Sequence, residues 1–192
     1  MTVLSQHTSD VNTARAFAGL KARFPEWDSV VRASPKRVAD AIRSGGLADQ
    51  KAPRIQAILR EIARREGRLS LDRLRDVDDD EVEDYLCSLP GVGPKTAACV
   101  LVFSLGRAAF PIDTHVHRVT KRLGWIPENA SAEGAHAVLK HVVPADVRYE
   151  LHVQLIAHGR TICKARMPLC TECPLLDLCP AGPRLLAEGL AR

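Results

Sequence analysis

The sequence has no apolar run long enough to span a membrane. The longest, "AACVLVF", is far short of the roughly 20 residues a crossing helix needs. No basic segment followed by an apolar one opens the chain, so no secretory signal is read, and a reducing, cytosolic compartment is expected. No stretch of alternating apolar and polar residues ends in a hairpin turn, which argues against sheets. No repeat of about 20 to 50 residues and no low-complexity tract is present, which excludes solenoids and disordered tails. The expected fold class is all-α.

The hydrophobic fraction is 46% and the charged fraction 26%, ordinary values for a globular chain of 192 residues. The net charge of +4 is unevenly spread. Residues 72–84, "DRLRDVDDDEVED", hold eight acids and two bases, so the remainder carries +10. Such asymmetry suits a protein with one face on an anion, although charge alone is equally met by a solvated surface.

Helical periodicity runs nearly throughout. "DVNTARAFAGLKARF" places Val11, Ala14, Phe17, Ala18 and Leu20 on one expected face. Ser34 and Pro35 open a second helix as N-cap and first helical residue. Ile55, Ile58, Leu59 and Ile62 define a third, stopped by Gly67. Asp78–Asp80 cap a helix to Ser88, Pro94 opens one that ends at Gly106, and Asp113 caps one through Leu123. Two more are expected near 132–141 and 145–158.

Cys163, Cys170, Cys173 and Cys179 are spaced C-x6-C-x2-C-x5-C. Four thiols this close in a reducing compartment point to metal rather than disulfides. Spacing alone admits either zinc or an iron–sulfur cluster, since both take four thiolates. Cys87 and Cys99 fall inside apolar helical patterns and read as core residues. The loop between the first two ligands carries Lys164 and Arg166, which would project as cations from a metal-held base.

"LPGVGPKTA" joins two helices through Gly91, Val92 and Gly93. Glycines there permit a tight turn and leave amides at a helix N-terminus, a ready phosphate site. Lys95 then stands in the first turn of the following helix, where the dipole disfavours its ammonium. A position poor for a cation is good for a nucleophile, because only the neutral amine attacks.

Six segments taken in order, "LSQHTSD", "GGLADQKAPRI", "LPGVGPKTA", "PIDTHVHRVTKRLG", "HGRTIC" and the four-cysteine spacing, resemble the endonuclease III family of helix–hairpin–helix DNA glycosylases. The resemblance implies two all-α domains flanking a DNA-binding cleft. They would be a six-helix domain over 1–107, with the hairpin motif at about 79–105, and an iron–sulfur domain over 108–192. It also implies a [4Fe–4S] cluster on the four cysteines. In the family's bifunctional members the catalytic pair falls on Lys95 and Asp113. The lysine attacks C1′ of the deoxyribose to form a Schiff base, while the aspartate stabilises positive charge developing on the sugar. The implied activity is removal of oxidised pyrimidines and strand cleavage by β-elimination. The expected partner is double-stranded DNA with damaged or abasic sites, bound by a monomer without any membrane.

A stacked base must be flipped out to be reached. The family's two inserting positions fall on His7 and Leu47. The family more often has glutamine at the first, and Ala48 replaces a tyrosine of some relatives, departures that bear on the lesion recognised. His115 and His117 read as structural rather than as ligands. The family also carries a helix before the point matching Met1, so the chain is expected to open inside the first core helix. An adenine glycosylase would need a glutamate where Thr2 stands and lacks the hairpin lysine. A mismatch- or uracil-directed glycosylase, a protein acting mainly as an AP lyase and a non-catalytic DNA-binding module are the other readings weighed.

Overall fold

The computed structural model describes residues 1–192 and consists of helices and turns, with no strand. It divides into two compact units, Met1–Val100 and Leu101–Arg192. The division falls inside a helix, α6, a few residues ahead of the boundary expected from sequence.

The first unit contains α1 (Asp10–Arg23), α2 (Trp27–Arg32), α3 (Pro35–Ala41), α4 (Ala48–Glu66) and α5 (Asp79–Cys87), and α6 (Pro94–Leu105) begins in it. Most boundaries follow from local chemistry. Ser9, Ser34 and Asp78 each accept a hydrogen bond from an amide three residues on, removing one orphan donor from the starts of α1, α3 and α5. Gly67 ends α4 with φ +70°, a backbone state closed to most side chains. Leu4, Leu20, Val30, Val38, Ile42 and Ile55 lie in the core these helices enclose.

The buried face of α1 differs from the expected one. Leu20 is buried and Phe17 packs against the core as expected, but Val11 is 67% exposed and Ala14 and Ala18 also face solvent, whereas Thr13 and Ala16 are buried. The cause is close packing by small residues. A Cβ on Gly19 would sit 2.7 Å from the Ala41 carbonyl oxygen, and one on Gly45 would sit 2.9 Å from Ala16 Cβ. Residues 2–8, expected inside a first core helix, form consecutive turns instead, with Leu4 N–H bonded to Met1 O at 2.9 Å.

The second unit contains α7 (Thr114–Arg122), α8 (Ala132–Val142), α9 (Arg148–Thr161) and α10 (Ala181–Ala187). Phe110, Ile112, Val116, Val119, Leu139 and Leu155 form its core. The helix expected over 145–158 is split: a short tight turn, Ala145–Val147, precedes α9. Gly159 lets α9 approach α7, since a Cβ there would lie 3.0 Å from His115 Cβ.

Candidate active site and cysteine pocket

The hairpin of the first unit closes through Val92 N–H to Leu89 O at 3.1 Å, and α6 starts with the Thr96 and Ala97 amides on Gly93 O. Gly91 has φ +69° and passes under Arg54: a Cβ there would meet Arg54 Nε at 2.6 Å. The positive φ favours glycine, and a side chain there would also displace Arg54. The Gly91 and Gly93 amides enter none of the turn's backbone hydrogen bonds, which leaves two exposed donors beside a helix N-terminus. Val92 between them is half-buried. Lys95 is half-buried in the first turn of α6.

Three side chains not singled out from sequence brace this hairpin. Arg54 Nη1 donates to Gln6 Oε1 at 3.2 Å, and Gln6 Nε2 donates to Thr96 Oγ1 at 3.1 Å. The relay ties the turn before α1 to the first turn of α6, one residue from Lys95 and one from His7. Nothing in the sequence marks Gln6 or Arg54, because the bonds join segments far apart along the chain.

His7 and Leu47 share an uncommon backbone state. The chain has three non-glycine residues with positive φ: His7 at 54°, Leu47 at 50° and Met167 at 49°. Left-handed backbone costs a non-glycine residue about 1–2 kcal/mol. Leu47 stands at the N-cap of α4 and is 48% exposed, and His7 is also exposed. Such strain concentrates where a side chain must be aimed. Ala48, beside Leu47, is buried in the core.

In the second unit Asp113 caps α7. Its Oδ1 accepts from both His115 N and Val116 N at 2.8 Å. Both cap bonds fall on one oxygen, so Oδ2 takes no part in the cap. The side chain remains half-buried. His115 Nδ1 meets Arg118 Nη2 at 3.1 Å and His117 Nε2 meets Ala130 O at 2.9 Å.

The four clustered cysteines line one pocket, walled by Leu123, Ile162, Leu169, Leu175 and Leu185. Burial pushes the Cys170 thiol up from its ordinary value, and the neighbouring sulfurs of Cys163, Cys173 and Cys179 add to this. No group of three or more His, Cys, Asp or Glu side chains is arranged as a metal-ion site. Cys99 is buried and Cys87 half-buried, both away from this pocket's lining.

Lys164 and Arg166 are exposed on the loop after Cys163. The sequence does not show what holds that loop. Arg122 donates to Lys164 O at 2.7 Å, Ala165 O at 3.2 Å and Cys163 Sγ at 3.2 Å. Arg118 donates to Gly159 O at 2.7 Å and Cys163 O at 3.0 Å. The helix that Asp113 caps therefore grips the cysteine loop through two guanidiniums one turn apart.

A family model described as HhH-GPD superfamily base excision DNA repair protein matches residues 1–145. A candidate DNA glycosylase of Arabidopsis thaliana is 41% identical over 184 residues, covering 91% of this chain and 62% of that protein. Endonuclease III of Thermotoga maritima is 37% identical over 93% of this chain and 79% of its own length. Protein ROS1A of rice is 34% identical over 80% of this chain, which spans only 9% of that much longer protein. Among solved structures, a non-covalent endonuclease III–DNA complex matches with a TM-score of 0.80 and 32% identity, covering 96% of this chain and 82% of that one. A trapped endonuclease III–DNA covalent intermediate matches with a TM-score of 0.80 and 33% identity, over the same shares of both chains.

Proposed function

Since the chain belongs to the HhH-GPD superfamily of base excision DNA repair proteins, and within it to the endonuclease III family, we propose that it is a bifunctional DNA glycosylase and AP lyase acting on oxidised pyrimidines in duplex DNA. The observation that carries this reading is the pairing of roles at two helix starts. Lys95 lies in the first turn after a glycine hairpin with two unengaged amides, and Asp113 caps α7 with one oxygen only.

In this reading the Gly91 and Gly93 amides hold a DNA phosphate, and His7 and Leu47 enter the duplex where the target base leaves its stack. Lys95 Nζ attacks C1′. A C–N bond forms as the glycosidic bond breaks, and the base departs with a proton. Asp113 lowers the energy of the positive charge that develops on the sugar. The C1′–O4′ bond then opens, leaving O4′ as a hydroxyl and the C1′–N link as a protonated Schiff base, whose electron-withdrawing character lets a C2′ proton leave and the 3′ phosphate follow by β-elimination.

The cysteine pocket suits a [4Fe–4S] cluster. Four thiols line one apolar cavity and Arg122 donates a charged hydrogen bond to one of them. Zinc also takes four thiolates; membership of the endonuclease III family is what favours the cluster. A bound cluster supplies a rigid core for the loop. Lys164 and Arg166 then meet phosphate without reading bases.

Borohydride reduction in the presence of abasic duplex DNA tests the chemistry. A covalent protein–DNA complex and β-elimination products support the proposal; protein that binds but neither traps nor cleaves is a non-catalytic module. A panel of thymine glycol, dihydrouracil and uracil opposite guanine tests the lesion class, and release of uracil alone overturns the oxidised-pyrimidine assignment.

A further inference from the structure

Lys51 is a charged residue in an unexpected place. It lies in the first turn of α4 and is only 3% exposed. Taking an ammonium out of water is costly unless its hydrogens are matched by acceptors. Here Nζ donates to Leu4 O at 2.8 Å and to Gly45 O at 2.9 Å. These carbonyls belong to two separate segments of the chain. Three residues after Leu4 comes His7, and two residues after Gly45 comes Leu47. Both are non-glycine residues with left-handed backbone. The segments pack closely: a Cβ on Gly45 would lie 2.9 Å from Ala16 Cβ and 4.0 Å from Leu4 O itself.

We propose that Lys51 is a positioning residue that fixes both turns presenting His7 and Leu47 to DNA, by holding one carbonyl from each on a single ammonium. This role rests on the reading of His7 and Leu47 as the side chains that enter the duplex. A methionine of similar length could fill the space but would leave two carbonyls without a donor. α4 supplies the rigid base, with 19 residues and a core-facing row of isoleucines. Both αL residues lie next to their pinned turns, so a small shift at either carbonyl is carried directly to an exposed tip.

Gln56, also on α4, provides a matched comparison. It is fully buried and its Nε2 likewise donates to two carbonyls, Val30 O at 2.8 Å and Ala33 O at 2.7 Å. Those belong to α2 and its C-terminal end, not to the turns that carry His7 and Leu47. Removing either donor pair should cost stability; only one removal should disturb the inserted side chains.

The test uses the full chain with Lys51→Met, Lys51→Gln, Gln56→Met, His7→Ala and Leu47→Ala. Each is assayed for strand cleavage at an abasic site in duplex and in single-stranded DNA, where no stack has to be entered. Each is also assayed for the fluorescence change of 2-aminopurine opposite the abasic site, which needs binding but no catalysis. For Lys51→Met the duplex-to-single-strand rate ratio should fall about a hundredfold, the scale of an ångström misplacement, and the 2-aminopurine signal should be lost. Gln56→Met should keep both at equal melting temperature. Lys51→Gln, whose neutral side chain is one atom shorter and leaves its amide short of the place Nζ holds between the two carbonyls, keeps the test decisive if the methionine variant does not fold. A folded Lys51→Gln with the wild-type ratio and signal overturns the inference. If Leu47→Ala and His7→Ala both leave the ratio and signal intact, the insertion reading itself has failed. If they lower both while Lys51→Met behaves like Gln56→Met, insertion stands and Lys51 is only a core residue.

Discussion

Replacing Asp113 separates two duties of one carboxylate. Its Oδ1 receives the His115 and Val116 amides at 2.8 Å, so the side chain caps α7 whatever else it does. Asparagine keeps a carbonyl oxygen at that position and is as good an N-cap as aspartate. Asp113→Asn should therefore lose only the charge–dipole part of the interaction, about 0.3–1 kcal/mol. Asp113→Ala has no acceptor and should lose about 1 kcal/mol, with a range of about 0.5–2. In a unit of this size that corresponds to a melting-temperature drop of roughly 4–8 °C. Catalysis should not follow this order. Stabilising charge in the transition state needs the carboxylate's charge, which both variants lack, so both should slow base removal roughly a hundred- to a thousandfold. Single-turnover excision from a lesion-bearing duplex and thermal melting, measured on the same preparations, give the two scales. Strand cleavage at a pre-formed abasic site should survive better than excision in both variants, because the base has already gone. Excision by Asp113→Asn near the wild-type rate, with Asp113→Ala impaired only as far as its stability falls, would show that the residue is a cap alone.

Lys95→Gln should fold and bind abasic duplex, because the hairpin amides remain, but should form no borohydride-trapped complex; trapping by this variant would move the chemistry to another amine. Changing Lys164 and Arg166 together to alanine should weaken binding to every duplex alike and flatten the salt dependence by about two units, given about −0.9 per phosphate contact. An effect confined to one lesion would make them base-reading residues. Protein purified without added metal should be yellow-brown, with iron and acid-labile sulfide in stoichiometric amounts, and Cys170→Ser should lose that colour. Colourless wild-type protein with one zinc per chain would refute the cluster.

The helix starts of α3, α5 and α7 could be read from sequence because their causes are local. Ser34, Asp78 and Asp113 each cap the backbone within three residues of themselves. The glycine turn ahead of α6 and the grouping of the four cysteines in one pocket were legible for the same reason: both follow from short spacings. α2 and α10 gave no such signal. Neither Glu26 nor Pro180 makes a side-chain cap bond, and the two helices have six and seven residues. The inner face of α1 was legible at Phe17 and Leu20 but not at Thr13 and Ala16, because burial there is set by how closely backbones approach. Gly19 and Ala16 permit that contact, while the larger Val11 faces outward. Periodicity weighs side-chain size and apolarity, and it favours the wrong stripe when small residues make the interface.

The cations were the least legible, and they change what the charge balance means. A lysine or arginine in an amphipathic helix looks solvated in sequence, yet several here hold main-chain carbonyls. Lys51 binds two. Arg118 binds those of Gly159 and Cys163, and Arg122 those of Lys164 and Ala165. Arg148 gathers three, from Ala108, Lys140 and Val143. Each charge answers carbonyls at turns and helix ends, the groups that regular structure leaves without donors. A cation so engaged has little freedom to follow a phosphate. The excess of +10 outside the acidic segment therefore overstates the number of cations free to contact a phosphate directly, although each still adds its charge to the protein's field. In the proposed reading, what remains for phosphate is the exposed set, with Lys164 and Arg166 foremost, on a loop that Arg122 keeps in place.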